Sequence, residues 1–311
     1  VDLRRAIRGV GKTLISVGVL LFLFVGYQLW GTGLAEARGQ RDLKAQFQQR
    51  LLTAPPTLPV PGGAPVTEIV AAPPDLGSAV ALLEIPKIGV EKAVIEGVEV
   101  EDLKHGPGHY PHTPLPGEKG NSAIAGHRTT YGAPFYDLNE LAEGDPIYVT
   151  TSHGRFRYDV KEKLVVHPID GAWVLDPTED DRLTLTTCEP RFSAEKRLIV
   201  VAGLVGTPVQ VVQSSPAPEG GAPEATGTTE APVATTPPRT AGLDAAGLSG
   251  GSAARGPAVL WGAVAGAIWL GAWLLARHGR KWLVYALATP VFLGALYVFY
   301  ENVARLLPAN F

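Results

Sequence analysis

Residues 182–204 read RLTLTTCEPRFSAEKRLIVVAGL. The first part alternates apolar and hydroxyl residues, Leu183, Thr184, Leu185 and Thr186, which is the period-two pattern of a strand. The second, from Arg197, is a nearly unbroken apolar run, the pattern of a fully buried strand. EPRFSAEK lies between them, and Pro190 cannot donate to a strand ladder. Two strands are therefore predicted, with Cys188 at the end of the first and Arg197 opening the second. Cys188 is the only cysteine among the 311 residues, which excludes an intramolecular disulfide and a cysteine-clustered metal site. A free cysteine is commonly inert core filler, but filler belongs mid-strand. A cysteine at a strand terminus, on the rim of a sheet, is placed as a reactive thiol.

Outward from this pair, residues 79–212 hold many short strands separated by turn signals. VALLEIPKIGV and KAVIEGV read as paired strands, and NSAIAGH as a short apolar strand ending at His127. PIYVTT, a turn at SHG and RFRYDV read as a hairpin. Helical pattern is scarce; PFYDLNEL allows one or two turns. So many strands in so short a segment predict an all-β domain, a closed barrel or a sandwich.

A nucleophilic cysteine needs a proton-transfer partner, a bias toward thiolate and a donor for the oxyanion. Of the seven histidines, His278 lies in a basic loop near the C-terminus, His153 in a turn and His167 before a proline. His105, His109 and His112 occupy the Pro/Gly-rich KHGPGHYPHTP, where no regular element is expected to hold them, so a metal reading is not favoured. His127 ends a strand after Gly126 and is the expected partner of Cys188. Arg197 can return to the rim if the two strands are neighbours, offering a fixed fork of donors; the alternative is a solvated strand-end charge. Thr187 offers a hydroxyl or an amide, or is merely a strand former.

The flanks are of another kind. Arg4, Arg5, Arg8 and Lys12 (residues 1–12) precede an apolar run at residues 13–30, about the length of a membrane span; a cleaved signal peptide is the alternative, given Ala35-Glu36-Ala37. Residues 31–78 read as a helix followed by a Pro-rich linker. Residues 213–256 are rich in Pro, Thr, Gly and Ala and predict a disordered tether. Two further apolar runs, 257–276 and 282–300, flank the basic RHGRK at 277–281, and a tail of residues 301–311 closes the chain. By the positive-inside rule that loop is cytoplasmic and the β domain lies outside the cell. Net charge is −3 with 18% charged residues, which leaves no basic field for nucleic acid.

At these residues the chain resembles the sortase family. TLTTC (184–188), Arg197 and AIAGHR fit its cysteine, arginine and histidine motifs, and IPKIGV and GPGHYPHTPLPGEKGNSAIAGHRTTYGAPF look like further sortase segments, together covering roughly residues 80–205. The tyrosine of GHYP and the composition look most like the class E sortases of actinobacteria. The resemblance implies an eight-stranded barrel outside the membrane, with one N-terminal and two C-terminal spans in this chain. It implies a cysteine transpeptidase that cleaves a C-terminal LPxTG-like sorting signal of secreted proteins between Thr and Gly. A thioester then passes to a peptidoglycan-precursor amine. Carried over, Cys188 is the nucleophile, His127 the proton donor, Arg197 the oxyanion and substrate group, Thr187 an assistant, and Tyr110 the residue associated with preference for Leu-Ala-x-Thr-Gly. No cofactor is implied, although some sortases bind calcium; Glu179, Asp180 and Asp181 read better as a solvated acidic turn. A class C pilin polymerase is the alternative within the family, less favoured because no acidic-aromatic lid precedes the domain. An inactive membrane-tethered scaffold is the alternative outside it.

Overall fold

The computed structural model describes residues 3–53, 69–71, 73–209, 211–213, 255–278 and 281–306. Most of the Pro-rich linker and of the expected tether lie outside the described residues, as do positions 279–280 of the basic loop.

In chain order the elements begin with helix α1 (Leu3–Gly26), a π-helical turn (Tyr27–Gly31) and α2 (Thr32–Thr53). The strands β1 (Ile69–Ala71), β2 (Ala79–Ile85) and β3 (Val90–Glu96) follow, then the single helical turn α3 (Val100–Leu103). Next come β4 (Gly108–His109), β5 (Asn121–Ala125), β6 (Pro146–Thr151), β7 (Gly154–Val166), β8 (Arg182–Glu189), β9 (Lys196–Val205) and β10 (Val211–Gln213). Helices α4 (Arg255–His278) and α5 (Lys281–Ala304) close the chain.

Eight strands close into a barrel in the order β2-β3-β4-β5-β8-β9-β7-β6, while β1 and β10 pair separately in parallel. Closure removes the exposed edges that an open sheet would offer for association. The period of two along each strand divides the apolar residues between two cores. Leu183, Leu185, Leu198, Val200 and Ala202 join Ile124, Phe135 and Leu138 in the main core. Residues of the opposite parity, Ala123, Ala125, Cys188, Ile199 and Val201, pack with Tyr110, Leu103 and Val174 in a second cluster on the other face. The cysteine therefore belongs to the face of the barrel wall away from the main core.

Helix α2 is the polar helix anticipated after the first apolar run, and it does not project freely. Leu43 and Phe47 bury against Ala79, Ala93 and Ile95. The Gln40 side chain donates to the Ala93 carbonyl (3.0 Å) and the His105 carbonyl (2.8 Å) and accepts from the Ala93 N–H (2.8 Å). β3 pairs with β4 over only Ile95↔Gly108 and Glu96↔His109, so its backbone at Ala93 would otherwise be buried unpaired. One side-chain amide supplies both missing bonds, which a buried backbone requires.

Three helices are long and apolar enough to cross a membrane: Ile7–Gly26, Arg255–Arg277 and Lys281–Ala304. The C-terminal ends of α1 and α5 meet through Phe24, Tyr27, Leu296 and Tyr300, with the Tyr300 hydroxyl donating to the Leu20 carbonyl at 2.7 Å. Beyond them Arg305 lies 3.4 Å from Glu101 on α3, so the end of α5 touches the barrel domain.

Candidate functional site

Three neighbouring strands, β5, β8 and β9, bring the sequence-predicted residues together. In the antiparallel β8–β9 pair Cys188 is registered opposite Arg197, and residues directly opposite each other project from the same face with Cβ atoms roughly 5 Å apart. On the other side β5 runs parallel to β8 up to Ala125↔Thr186. Beyond that point the Gly126 N–H still donates to the Thr186 carbonyl (3.0 Å), so His127 leaves its strand beside the Cys188 end of β8. His127, Cys188 and Arg197 thus lie at one end of three consecutive strands.

Local sequence explains how the strand exit is built. A Cβ on Gly126 would stand 2.6 Å from Phe135 Cδ2, and Phe135 is fully buried; only glycine permits this approach. The Thr187 hydroxyl donates to the Gly126 carbonyl at 2.7 Å. Thr187 has the parity opposite to Cys188, and this hydroxyl is committed to the backbone before His127. The structure therefore gives its side chain a part in holding the strand exit.

The site is closed. Cys188 and Arg197 are 0% exposed and His127 1%, whereas the sequence alone suggested an open rim. The cover is made by side chains from the loops around the strand ends. The ring of Tyr131 lies on that of His127, with centroids 5.1 Å apart and planes tilted by 34°; Tyr131 is itself buried. Tyr110 stands on the Cys188 face, its hydroxyl 3.2 Å from the Thr186 hydroxyl. Burial, with Cys188 adding to it and the Thr186 bond and Arg197 charge opposing it, pushes the Tyr110 hydroxyl up to about 12. Neither imidazole nitrogen of His127 has a hydrogen-bond partner among the described residues. Burial, and to a smaller degree the charge of Lys104, pushes its pKa down to about 3. An imidazole held in place by packing keeps both nitrogens for an incoming group. The Arg197 guanidinium donates from Nη1 to the Ala194 (2.9 Å) and Lys196 (3.2 Å) carbonyls, which fixes it to the loop joining β8 and β9.

Of the remaining histidines, His109 departs most from the sequence reading. It sits on β4, buried, with Nδ1 2.8 Å from Glu96 Oε2 and Nε2 2.9 Å from the Pro114 carbonyl. It braces the turn that carries Tyr110. Among the described residues no group of three or more His, Cys, Asp or Glu side chains is arranged to hold a metal ion. In the acidic turn, Asp180 is engaged by Arg182 (Nε–Oδ1 2.9 Å), and Asp181 accepts from the Gly120 N–H (2.9 Å).

One residue at the site goes unnoticed in the sequence. Arg128 is buried and its guanidinium reaches the Cys188 carbonyl at 3.0 Å. An arginine following a candidate histidine is the only signal, and it is indistinguishable in sequence from a solvated loop charge.

A buried thiol, an imidazole and a guanidinium at one end of a closed barrel are the groups that a cysteine acyl-transfer site requires. Residues 83–205 match the sortase domain family. The chain is 34% identical over 215 residues to sortase SrtE1 of Streptomyces coelicolor, covering 64% of this chain and 57% of that protein. It is 37% identical over 131 residues to sortase D of Bacillus subtilis, covering 41% and 64% respectively. To sortase A of Bacillus anthracis it is 30% identical over 143 residues, covering 46% and 67%. The chain thus spans less than two thirds of the length of the first two relatives. The chain belongs to the sortase family, a family of cysteine transpeptidases.

Proposed function

We propose that this chain is a membrane-anchored sortase. In this reading it cleaves a C-terminal sorting signal of secreted proteins between Thr and Gly and transfers the new C-terminus to an amine of a peptidoglycan precursor. The observation that carries the reading is the convergence of His127, Cys188 and Arg197 at one end of β5, β8 and β9.

The chemistry follows from the geometry. The Cys188 thiolate attacks the threonine carbonyl carbon, and the resulting oxyanion accepts hydrogen bonds from the Arg197 fork; one such donor contributes roughly 3 kcal/mol. The His127 imidazolium gives its proton to the departing glycine nitrogen as the C–N bond breaks, leaving a thioester. The acceptor amine then attacks the thioester and yields a proton to the His127 imidazole. The thiolate leaves, restoring the starting pair. In the closed site His127 is neutral at pH 7, since its pKa is held at about 3. The reactive thiolate–imidazolium form is therefore a minority in the closed site.

Orientation follows from charge. Arg4, Arg8 and Lys12 before the first span, and the basic loop between α4 and α5, belong in the cytoplasm. The opposite ends of α1 and α5 meet, and the residue just beyond α5 touches the barrel domain, which supports a barrel domain outside the cell.

Tyr110, beside Cys188 on the same face, supports a preference for Leu-Ala-x-Thr-Gly over Leu-Pro-x-Thr-Gly. The test incubates the full-length protein in detergent micelles with each peptide and an amine. An acyl adduct on Cys188 by mass spectrometry, absent in Cys188→Ala, is expected. No adduct with either peptide refutes the enzyme reading, and faster turnover of the proline peptide refutes the preference.

A further inference from the structure

The end of a strand is where a ladder of backbone bonds runs out, and a nucleophile placed there needs something else to hold it. Along β8 alternate carbonyls face the β5 side. The Thr186 carbonyl is taken by the Gly126 N–H. Two residues on, the Cys188 carbonyl points the same way, but β5 has already ended at Ala125. In place of the missing strand amide stands Nη1 of Arg128, 3.0 Å from that carbonyl.

We propose that Arg128 is a positioning residue that fixes the main chain of Cys188, and through it the sulfur, beside His127. The reading rests on Cys188 as nucleophile. The guanidinium is anchored at every corner. Nη1 also meets Glu189 Oε2 (2.8 Å), Nη2 donates to Asn139 Oδ1 (2.8 Å), and Nε donates to the Tyr136 carbonyl (2.7 Å). It thus spans from the β5–β6 loop to the nucleophile and ties together the segments that carry proton donor and thiol. Because Arg128 follows His127 directly, one dipeptide supplies both the proton donor and the clamp on its partner. Glu189 beside it offsets the charge, so the role is to hold distance. A buried cation with its acceptors this complete keeps a single geometry. Arg191 reinforces the same junction, with Nη2 2.8 Å from Asp137 Oδ1 and its guanidinium 4.1 Å from the Tyr136 ring centre.

The experiment compares full-length wild type with Arg128→Lys, Arg128→Met and Asn139→Ala in micelles. Each is titrated for competent sites by the amplitude of the Cys188 acyl adduct formed with the sorting peptide in the absence of amine, and kcat and KM are expressed per adduct-forming site. Small displacements of reacting groups cost large factors in rate, so kcat is expected to fall about tenfold or more in Arg128→Met, with KM within about twofold. Arg128→Lys, which keeps one donor to the Cys188 carbonyl, is expected to lie between Arg128→Met and wild type. Asn139→Ala, which frees the far end of the fork and leaves the charge, should fall in the same sense. If Arg128→Met does not fold, the other two variants decide. Unchanged kcat per adduct-forming site in both Arg128→Lys and Asn139→Ala overturns the proposal, because loss of folded protein lowers the number of adduct-forming sites and leaves the rate per site untouched. A wild type that forms no acyl adduct overturns it by removing the nucleophile reading, and that failure shows before any substitution is made.

Discussion

Tyr131 lies on His127, ring against ring at 5.1 Å, and this contact is part of what keeps the imidazole from water. Its consequence for stability can be signed. The folded pKa of His127, about 3, is below the ordinary value near 6.5. Between those limits the unfolded chain binds a proton that the folded chain refuses, so this histidine's stabilising contribution is complete above about pH 6.5 and is lost as pH falls. His127→Gln, which cannot titrate, is expected to lose less thermal stability between pH 7 and pH 5 than wild type. Parallel melts in micelles measure it; an equal loss refutes the assignment. Tyr131→Ala admits water and should move the His127 titration upward by at least about one unit, observable by NMR of labelled imidazole.

Arg197 stands across from Cys188 with Nη1 bound to the Ala194 and Lys196 carbonyls. A lysine there keeps the charge but not the planar fork, one edge of which holds the loop and the rest of which the proposed mechanism uses toward the oxyanion. Arg197→Lys is expected to fold and to form the Cys188 acyl adduct at least about tenfold more slowly, in line with the loss of an oxyanion donor. Single-turnover mass spectrometry reads the rate. A wild-type rate would remove Arg197 from the chemistry.

How much of this was legible in the sequence depends on the range over which each signal acts. The strands of Cys188 and Arg197 announce themselves through local alternation and an apolar run, while their adjacency, left open in the sequence, is supplied by the β8–β9 pairing. His127 was legible as the end of a strand after a glycine. The closure of the site was not, because Tyr110 and Val174 reach the Cys188 face from separate loops and Tyr131 folds back over His127. Arg128 was hidden for a related reason: a charged residue in a loop is ordinarily solvated, and only the fold shows that its acceptors come from Tyr136, Asn139, Cys188 and Glu189. His109 was expected in an irregular loop because two-residue β4 is too short to leave a periodic trace. Helix α2 gave little sign of docking, since Gln40 acts there through its amide and only Leu43 and Phe47 mark a buried stripe.

That amide leads to a prediction on the barrel itself. Gln40→Ala leaves the Ala93 N–H and carbonyl without the partner they have now. An unsatisfied buried polar group costs roughly 1–3 kcal/mol, and here the cost falls on the contact between α2 and β3. The thermal midpoint is expected to drop, and hydrogen exchange at the Ala93 amide to accelerate. Wild-type exchange there would mean that the apolar contacts of Leu43 and Phe47 suffice to seal β3.

Gly126 carries the last prediction, because the absence of a side chain there sets where His127 emerges. A methyl group at this position would lie 2.6 Å from Phe135 Cδ2 and 2.7 Å from Cε2, well inside contact distance. Phe135 is fully buried in the main core and has no room to retreat, so the strand exit must move instead. Overpacking of this kind costs typically about 1–3 kcal/mol, and the displaced segment is the one that delivers His127 to Cys188. Gly126→Ala is therefore expected to lower both the thermal midpoint and the acylation rate. Adding Phe135→Leu, which removes the ring edge, should restore part of the rate although it trims the core further. A double variant slower than Gly126→Ala alone would show that the ring, and not the space at Gly126, sets the position of the histidine.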